Sequence, residues 1–213
     1  MPESQNGRRA GNDLYNRLFK RAFDIILALI VAPAVLAVVL PVALLIMLDG
    51  GAPFYIQDRV GKGGRLFRMW KLRTMVRDAD KMLAGHLAAN PEARAEWDKY
   101  QKLHDDPRIT PFGAFLRRSS IDELPQLWNV LKGDMSIVGP RPFLPSQIGF
   151  YPGREYYEMA PGLTGPWQVA DRNEASFVQR AQFDRLYYYS RSLGTDIALI
   201  LRTAGVILRQ TGS

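Results

Sequence analysis

From Ile25 to Leu48 the chain runs for 24 residues without one charged or strongly polar side chain. Wound as a helix at about 1.5 Å per residue, such a run reaches across the ~30 Å hydrocarbon layer of a bilayer. A cleaved secretory signal would have a shorter apolar core and a small-residue cleavage site after it. Here the run ends in Leu48-Asp49-Gly50-Gly51 and passes into a basic, patterned region. The segment reads as one that stays in the membrane.

Its flanks constrain the topology. Arg8, Arg9, Arg17, Lys20 and Arg21 precede it; Arg59, Lys62, Arg65, Arg68, Lys71 and Arg73 follow. Lys/Arg-rich flanks belong on the cytoplasmic side, and a simple span would place one of these outside. A helix that enters the bilayer, breaks and leaves by the same face satisfies both. Pro33 and Pro41 can supply the break, since each removes a backbone donor and clashes with the preceding turn. The alternative is a single span kinked by proline. Asp24, one turn beyond Lys20 and Arg21, reads as a local ion pair at the interface.

Composition narrows the chemistry. There is no cysteine, which removes disulfides, thiolate catalysis and cysteine-bound zinc. The two histidines, His86 and His104, lie in a charged stretch, so acids, bases and nucleophiles must come from Asp, Glu, Lys or Tyr. The net charge of +7 suits nucleic acid, an anionic membrane or a phosphate-rich substrate.

After the apolar run, residues 52–75 alternate apolar and polar side chains around Gly61-Lys62-Gly63-Gly64. Phe54–Ile56 and Leu66–Met69 read as two strands of a hairpin. The glycines lack phosphate-loop spacing. Residues 76–105 carry a helical pattern jointed at Asn90-Pro91, with a solvated charged face. Turns follow at 105–107, 139–142 and 161–162. Residues 196–208 read as a helix with a broad apolar face, suited equally to the core or to the membrane surface. The predicted fold class is mainly α with a small β-hairpin (α+β). Residues 1–14 are expected to be disordered, 15–50 to form the membrane segment and 51–213 the catalytic domain.

The stretch from Arg117 to Asn129 carries the strongest chemical signal. Ser120-x-x-Glu123 has the spacing of a helix-capping box, with Asp122 also favoured near a helix start. Pro125 argues against a helix begun at Ser120; it fits as the first helical residue, with both acids just ahead of it. Spacing alone leaves three readings open: a cap, a salt-bridge cluster beside Arg117 and Arg118, or a catalytic pair.

The run SSIDELPQLWNVLKGDMSIVGPRP (119–142) resembles the signature of the bacterial sugar transferases, the monotopic phosphoglycosyl transferases. KRAFD (20–24), KLRTM (71–75), DPRIT (106–110), PGLTG (161–165), WQV (167–169), Arg172-Asn173 and Asp184 with Tyr187-Tyr188 follow that family's order. The resemblance implies that Asp122 is a nucleophile attacking the sugar-bearing phosphate of a UDP-sugar. UMP is then expelled and the phosphosugar passes to undecaprenyl phosphate. It implies Glu123 as ligand of a Mg²⁺ cofactor, and Lys71, Arg73, Arg117, Arg141, Arg172 and Asp184 as residues around the substrate phosphates. It further implies a re-entrant helix, amphipathic interfacial helices, and an active site on the cytoplasmic face of the bacterial inner membrane, among that membrane's lipids. No nucleic acid partner is expected, and a homodimer is compatible with the family. The helical insert with Glu96-Trp97-Asp98-Lys99 resembles the enzymes that move galactose or glucose 1-phosphate at the start of exopolysaccharide or O-antigen (lipopolysaccharide) synthesis. The chain corresponds to their short form.

Three departures stand out. The family's Ser-Pro helix break would fall at Leu36-Ala37, whereas the prolines here stand at 33 and 41. Ala160 replaces a common Arg, and Asp171 a common Gly. Competing readings are an N-acetylated or diamino sugar donor, a basic membrane-surface binding protein, and a phosphohydrolase using the same acids with water as acceptor.

Overall fold

The apolar run folds as one long helix, α1 (Lys20–Met47), entered through a single π turn (Tyr15–Phe19). The computed structural model describes residues 15–100, 103–170 and 177–208, so residues 1–14 and Arg172 lie outside the described part. Pro33 and Pro41 both sit inside α1, and the helix is assigned without a gap through them. The expected break is therefore not a division into two helices. Each proline withdraws one donor from a 28-residue ladder, and both rings stand on the exposed side where bonds on either flank persist.

Asp24, Ala28, Val39, Ala43 and Ile46 form the buried stripe of α1, at helical spacing. Ala28 packs with Phe67, Met69 and Val130. Val39, Ala43 and Ile46 pack with Leu72 and Leu116. The opposite face exposes Ile26, Leu29, Ile30, Leu36, Leu40, Leu44, Leu45 and Leu48. An uncharged apolar surface of that extent marks a contact with something other than water.

The hairpin forms as expected, with longer strands: β1 (Phe54–Val60) pairs antiparallel with β2 (Leu66–Leu72), placing Tyr55 opposite Lys71 and Arg59 opposite Phe67. Gly63 and Gly64 turn the chain at φ 67° and 76°, a region glycine enters without steric cost. Two solvated helices follow, α2 (Ala79–Ala89) and α3 (Pro91–Tyr100), jointed where Asn90-Pro91 predicts. DPRIT then builds a clamp: Arg108 holds Asp106 through Nε at 2.8 Å and Nη2 at 2.6 Å and lies over the Trp97 ring. Thr110 caps α4 (Pro111–Arg118), its Oγ1 accepting from Gly113 N at 2.9 Å.

A 3₁₀ turn (Ile121–Gln126) leads into α5 (Leu127–Lys132) and then β3 (Ser136–Val138). The Pro161-Gly162 turn is corrected by the structure: Gly162 opens β4 (Gly162–Thr164), which pairs parallel with β3. Three-residue strands are too short to show alternation, and a parallel pair needs a long crossover without a local signature. The chain closes with α6 (Pro166–Val169), α7 (Phe177–Ser190) and α8 (Leu193–Leu208). In α8, Asp196 and Leu199 face inward, as a core helix requires, while Leu193, Ile197 and Leu201 are exposed. The described residues are mostly helical with two two-stranded sheets.

Candidate active site

Asp122 and Glu123 lie inside the 3₁₀ turn, not ahead of a helix begun at Pro125. A proline inside an α-helix clashes with the carbonyl four residues back, and the chain meets this by winding the stretch as 3₁₀ and starting α5 only at Leu127. The capping box is not formed either. Ser120 takes a left-handed conformation (φ 58°) and its side chain caps nothing. For a non-glycine residue that conformation costs on the order of 1 kcal/mol. Freed from capping, both acids turn toward the basic side chains of neighbouring elements.

The two carboxylates meet different surroundings. Glu123 Oε1 accepts from Lys71 Nζ at 2.8 Å and from Arg141 Nη2 at 3.1 Å. Burial alone would raise its pKa, but Arg141 and Lys71 overcome that and hold it well below the usual carboxylate range. Asp122 is 7% exposed, its Oδ2 is 3.9 Å from Lys71 Nζ, and it accepts no hydrogen bond among the described residues. Burial first, then the Glu123 charge, push its pKa up to about 6, against the pull of Lys71, Arg117 and Arg141. At neutral pH it is an ionised carboxylate that is poorly solvated and loosely paired.

Three attachments set this geometry. Asn129, fully buried, ties α5 to β2: its Nδ2 donates to Arg68 O at 2.7 Å and its Oδ1 accepts from Trp70 N at 3.1 Å. Lys71 follows directly. Arg141 is delivered by β3 through Gly139-Pro140, where backbone segments nearly touch. A Cβ on Gly162 would lie 2.1 Å from Gly139 N, and one on Gly165 2.0 Å from Gly139 O. Arg117, on α4, donates from Nε to Thr74 Oγ1 at 2.9 Å, with Asp122 and Asp106 as neighbouring carboxylates.

Lys71, Arg117, Arg141, Asp122 and Glu123 thus come together. Arg73 does not join them: its guanidinium bonds Ile46 O and Asp49 at the end of α1. Asp184 is fully buried, with Tyr151 Oη donating to its Oδ2 at 2.6 Å. Arg59, which the sequence marks only as part of a basic flank, lines a recess with Met69, Lys71, Glu123, Gln126 and Arg141. Burial first, then Arg141 and Arg180, lower its pKa to about 10. Hairpin alternation carries the signal for it: Arg59 and Tyr55 share one face, as do their partners Phe67 and Lys71. Arg180, which lies over the Trp167 ring, adds a further buried guanidinium, and burial lowers its pKa to about 10 as well.

Among the described residues no three His, Asp or Glu side chains converge as a metal cage. Mg²⁺ is usually held by one or two carboxylates with substrate phosphates and water completing its shell. Glu123 fits that use: it is firmly ionised, both cations bond its Oε1, and about a quarter of its side chain (24%) stays exposed. The arrangement as a whole suits attack by a carboxylate on an anionic phosphorus centre inside a basic rim.

The family model described as bacterial sugar transferase matches residues 15–210. The chain is 48% identical over 171 residues to a UDP-galactose-lipid carrier transferase of Erwinia amylovora, covering 79% of this chain and 36% of that protein. It is 49% identical over 167 residues to an undecaprenyl-phosphate galactose phosphotransferase of Salmonella typhimurium, covering 78% and 35%. With the exopolysaccharide production protein ExoY of Rhizobium meliloti it shares 40% identity over 173 residues, 80% of this chain and 76% of that protein. The chain spans about a third of the length of the first two relatives.

Proposed function

The chain belongs to the bacterial sugar transferase family, and from that premise we propose that it moves a hexose 1-phosphate from a UDP-sugar to undecaprenyl phosphate at the start of exopolysaccharide synthesis. The observation that carries this reading is the unlike environment of two adjacent acids. One is clamped by two cations; the other is buried and accepts no hydrogen bond among the described residues, and such divergence supports different roles.

The Asp122 carboxylate attacks the sugar-bearing phosphorus, and the bond to the UMP oxygen breaks as UMP leaves. The phosphosugar stays on Asp122 until an oxygen of undecaprenyl phosphate attacks the same phosphorus and frees the carboxylate. Splitting the transfer in two spares the site from holding a soluble and a lipid substrate together. Arg141, Arg117 and Lys71 neutralise the diphosphate so that an anion can approach, with bidentate contact available from each guanidinium. Glu123 would hold Mg²⁺, which when bound supplies further charge neutralisation at the phosphates. Galactose as the sugar is supported by the names of the Erwinia and Salmonella relatives.

The exposed apolar face of α1 supports a membrane placement. We read the helix as lying along the cytoplasmic face of the inner membrane, with both of its ends on that side. Both ends are fastened to the same domain: Arg21 to Val130 O and Leu131 O, and Ile46 O to Arg73. Its buried stripe runs from Asp24 to Ile46 along that domain. A spanning helix would separate those ends by a bilayer.

The test measures UMP from the detergent-solubilised chain with UDP-galactose or UDP-glucose, Mg²⁺ and undecaprenyl phosphate. Without lipid, release is expected to stop near one equivalent per chain; with lipid it turns over. Asp122→Asn should lower release by a factor on the order of 10³ or more. Release unchanged in that variant removes the nucleophile assignment, and sustained lipid-free release favours hydrolysis.

A further inference from the structure

Asp24 is more than the partner of Lys20. It is 3% exposed, and its Oδ1 accepts both from Lys20 Nζ at 3.1 Å and from the backbone N–H of Ile137 at 3.1 Å, 113 residues away. Ile137 is the middle of β3. On the β4 side, Ser136 N donates to Pro161 O at 2.8 Å and Gly139 N to Thr164 O at 2.9 Å. The Ile137 N–H has no strand to meet, and a buried donor without an acceptor costs about 1–3 kcal/mol. Asp24 supplies that acceptor from the first turns of the membrane helix.

The carboxylate is itself held. Lys20 Nζ also lies 2.8 Å from Asp196 Oδ2, and Asp196 is fully buried. Tyr15 Oη donates to Asp196 Oδ2 at 2.7 Å and Tyr187 Oη to Asp196 Oδ1 at 2.6 Å. One ammonium thus bridges two buried carboxylates, one from each end of the chain. Beside it, Arg21 bonds Val130 O and Leu131 O, carbonyls of the last turn of α5, at a helix end where a cation is favourable. One turn of α1 therefore grips the helix that continues from the Asp122-Glu123 turn and the strand that leads to Arg141.

We propose that Asp24 is a positioning residue for the transfer reaction: braced by Lys20 and Asp196, it fixes β3 so that Arg141 meets Glu123. This rests on the reading of Arg141 as a phosphate-holding arm. Geometry explains why a carboxylate is used: one oxygen must serve an ammonium and a backbone donor at once, inside the fold. Movement of β3 travels only four residues, through the close-packed Gly139, before reaching the Arg141 guanidinium 3.1 Å from Glu123. Misplacement of such a group by about 1 Å can cost on the order of 10²-fold in rate.

The test uses the full chain in detergent with two substitutions. Asp24→Leu removes the acceptor; Asp24→Asn keeps an oxygen for Ile137 and loses the charge. In Asp24→Leu, amide exchange at residues 136–139 and at Arg141 should quicken by about tenfold, while Asp24→Asn stays within about threefold of the parent. The kcat/KM for UMP release should fall by about tenfold or more in Asp24→Leu. In an Arg141→Ala background the same substitution should cost less than about twofold, because its effect runs through Arg141. Unchanged exchange in Asp24→Leu overturns the proposal, as does a full, multiplicative loss in the Arg141→Ala background. A parent chain that releases no UMP would refute the transfer reading, and the exchange rates would still decide whether Asp24 holds β3.

Discussion

Asp184 is fully buried; Tyr151 donates to its Oδ2 at 2.6 Å, and its Oδ1 accepts no hydrogen bond among the described residues. Burial pushes its pKa from 3.8 up to about 6, against the pull of Tyr151 and Arg180. The native chain therefore keeps a proton that the unfolded chain has released between pH ~4 and 6, and stability falls as pH rises through that window. About two pKa units correspond to ~3 kcal/mol as an upper bound. Asp184→Asn cannot ionise, so its stability relative to the parent should be ~1–3 kcal/mol better at pH 8 than at pH 4. Urea unfolding at both pH values reads this directly, and a pH-independent difference would refute the buried-charge account. Asp122 is raised in the same sense. A site that keeps a buried, poorly paired carboxylate gives up stability to hold it there.

At the scale of elements, the site is a junction of short pieces held by side chains. Asn129→Ala would leave the Trp70 N–H and the Arg68 carbonyl without their partner. Each buried unpaired group costs about 1–3 kcal/mol, so a loss of ~2–4 kcal/mol is expected in thermal unfolding. UMP turnover per folded chain should drop too, since β2 carries Lys71. The hairpin, the paired helices after it and the acid pair were legible because they rest on local signals: alternation, a glycine turn, a proline joint, a motif. The β3–β4 pair was not, for its partners lie 26 residues apart and are three residues long. Nor was the fate of Arg73. Two residues after Lys71 in sequence it reads as another phosphate ligand, yet its side chain reaches the end of α1. Asp24 was legible as an ion pair with Lys20, while its bond to Ile137 required the fold.

For the whole molecule the decisive question is how a 28-residue apolar helix can be both a membrane element and part of a domain wall. At about 1.5 Å per residue α1 is roughly 42 Å long, more than a bilayer core. Only its outward face, from Ile26 to Leu48, is free for lipid. The inward face packs on β2, α4 and α5 residues from Ala28 to Ile46. Carrying the helix straight across the bilayer would strip those contacts and pull Asp24 and Arg21 from β3 and α5. Two basic flanks on one side keep every one of them. The chain has no cysteine of its own, so single cysteines placed at Asn12 and at Lys62 report cleanly. In right-side-out spheroplasts neither should react with a membrane-impermeant maleimide, and in inverted vesicles both should. Labelling of the two positions from opposite sides would make α1 a simple span, and would place the contacts at its two ends on opposite sides of the membrane.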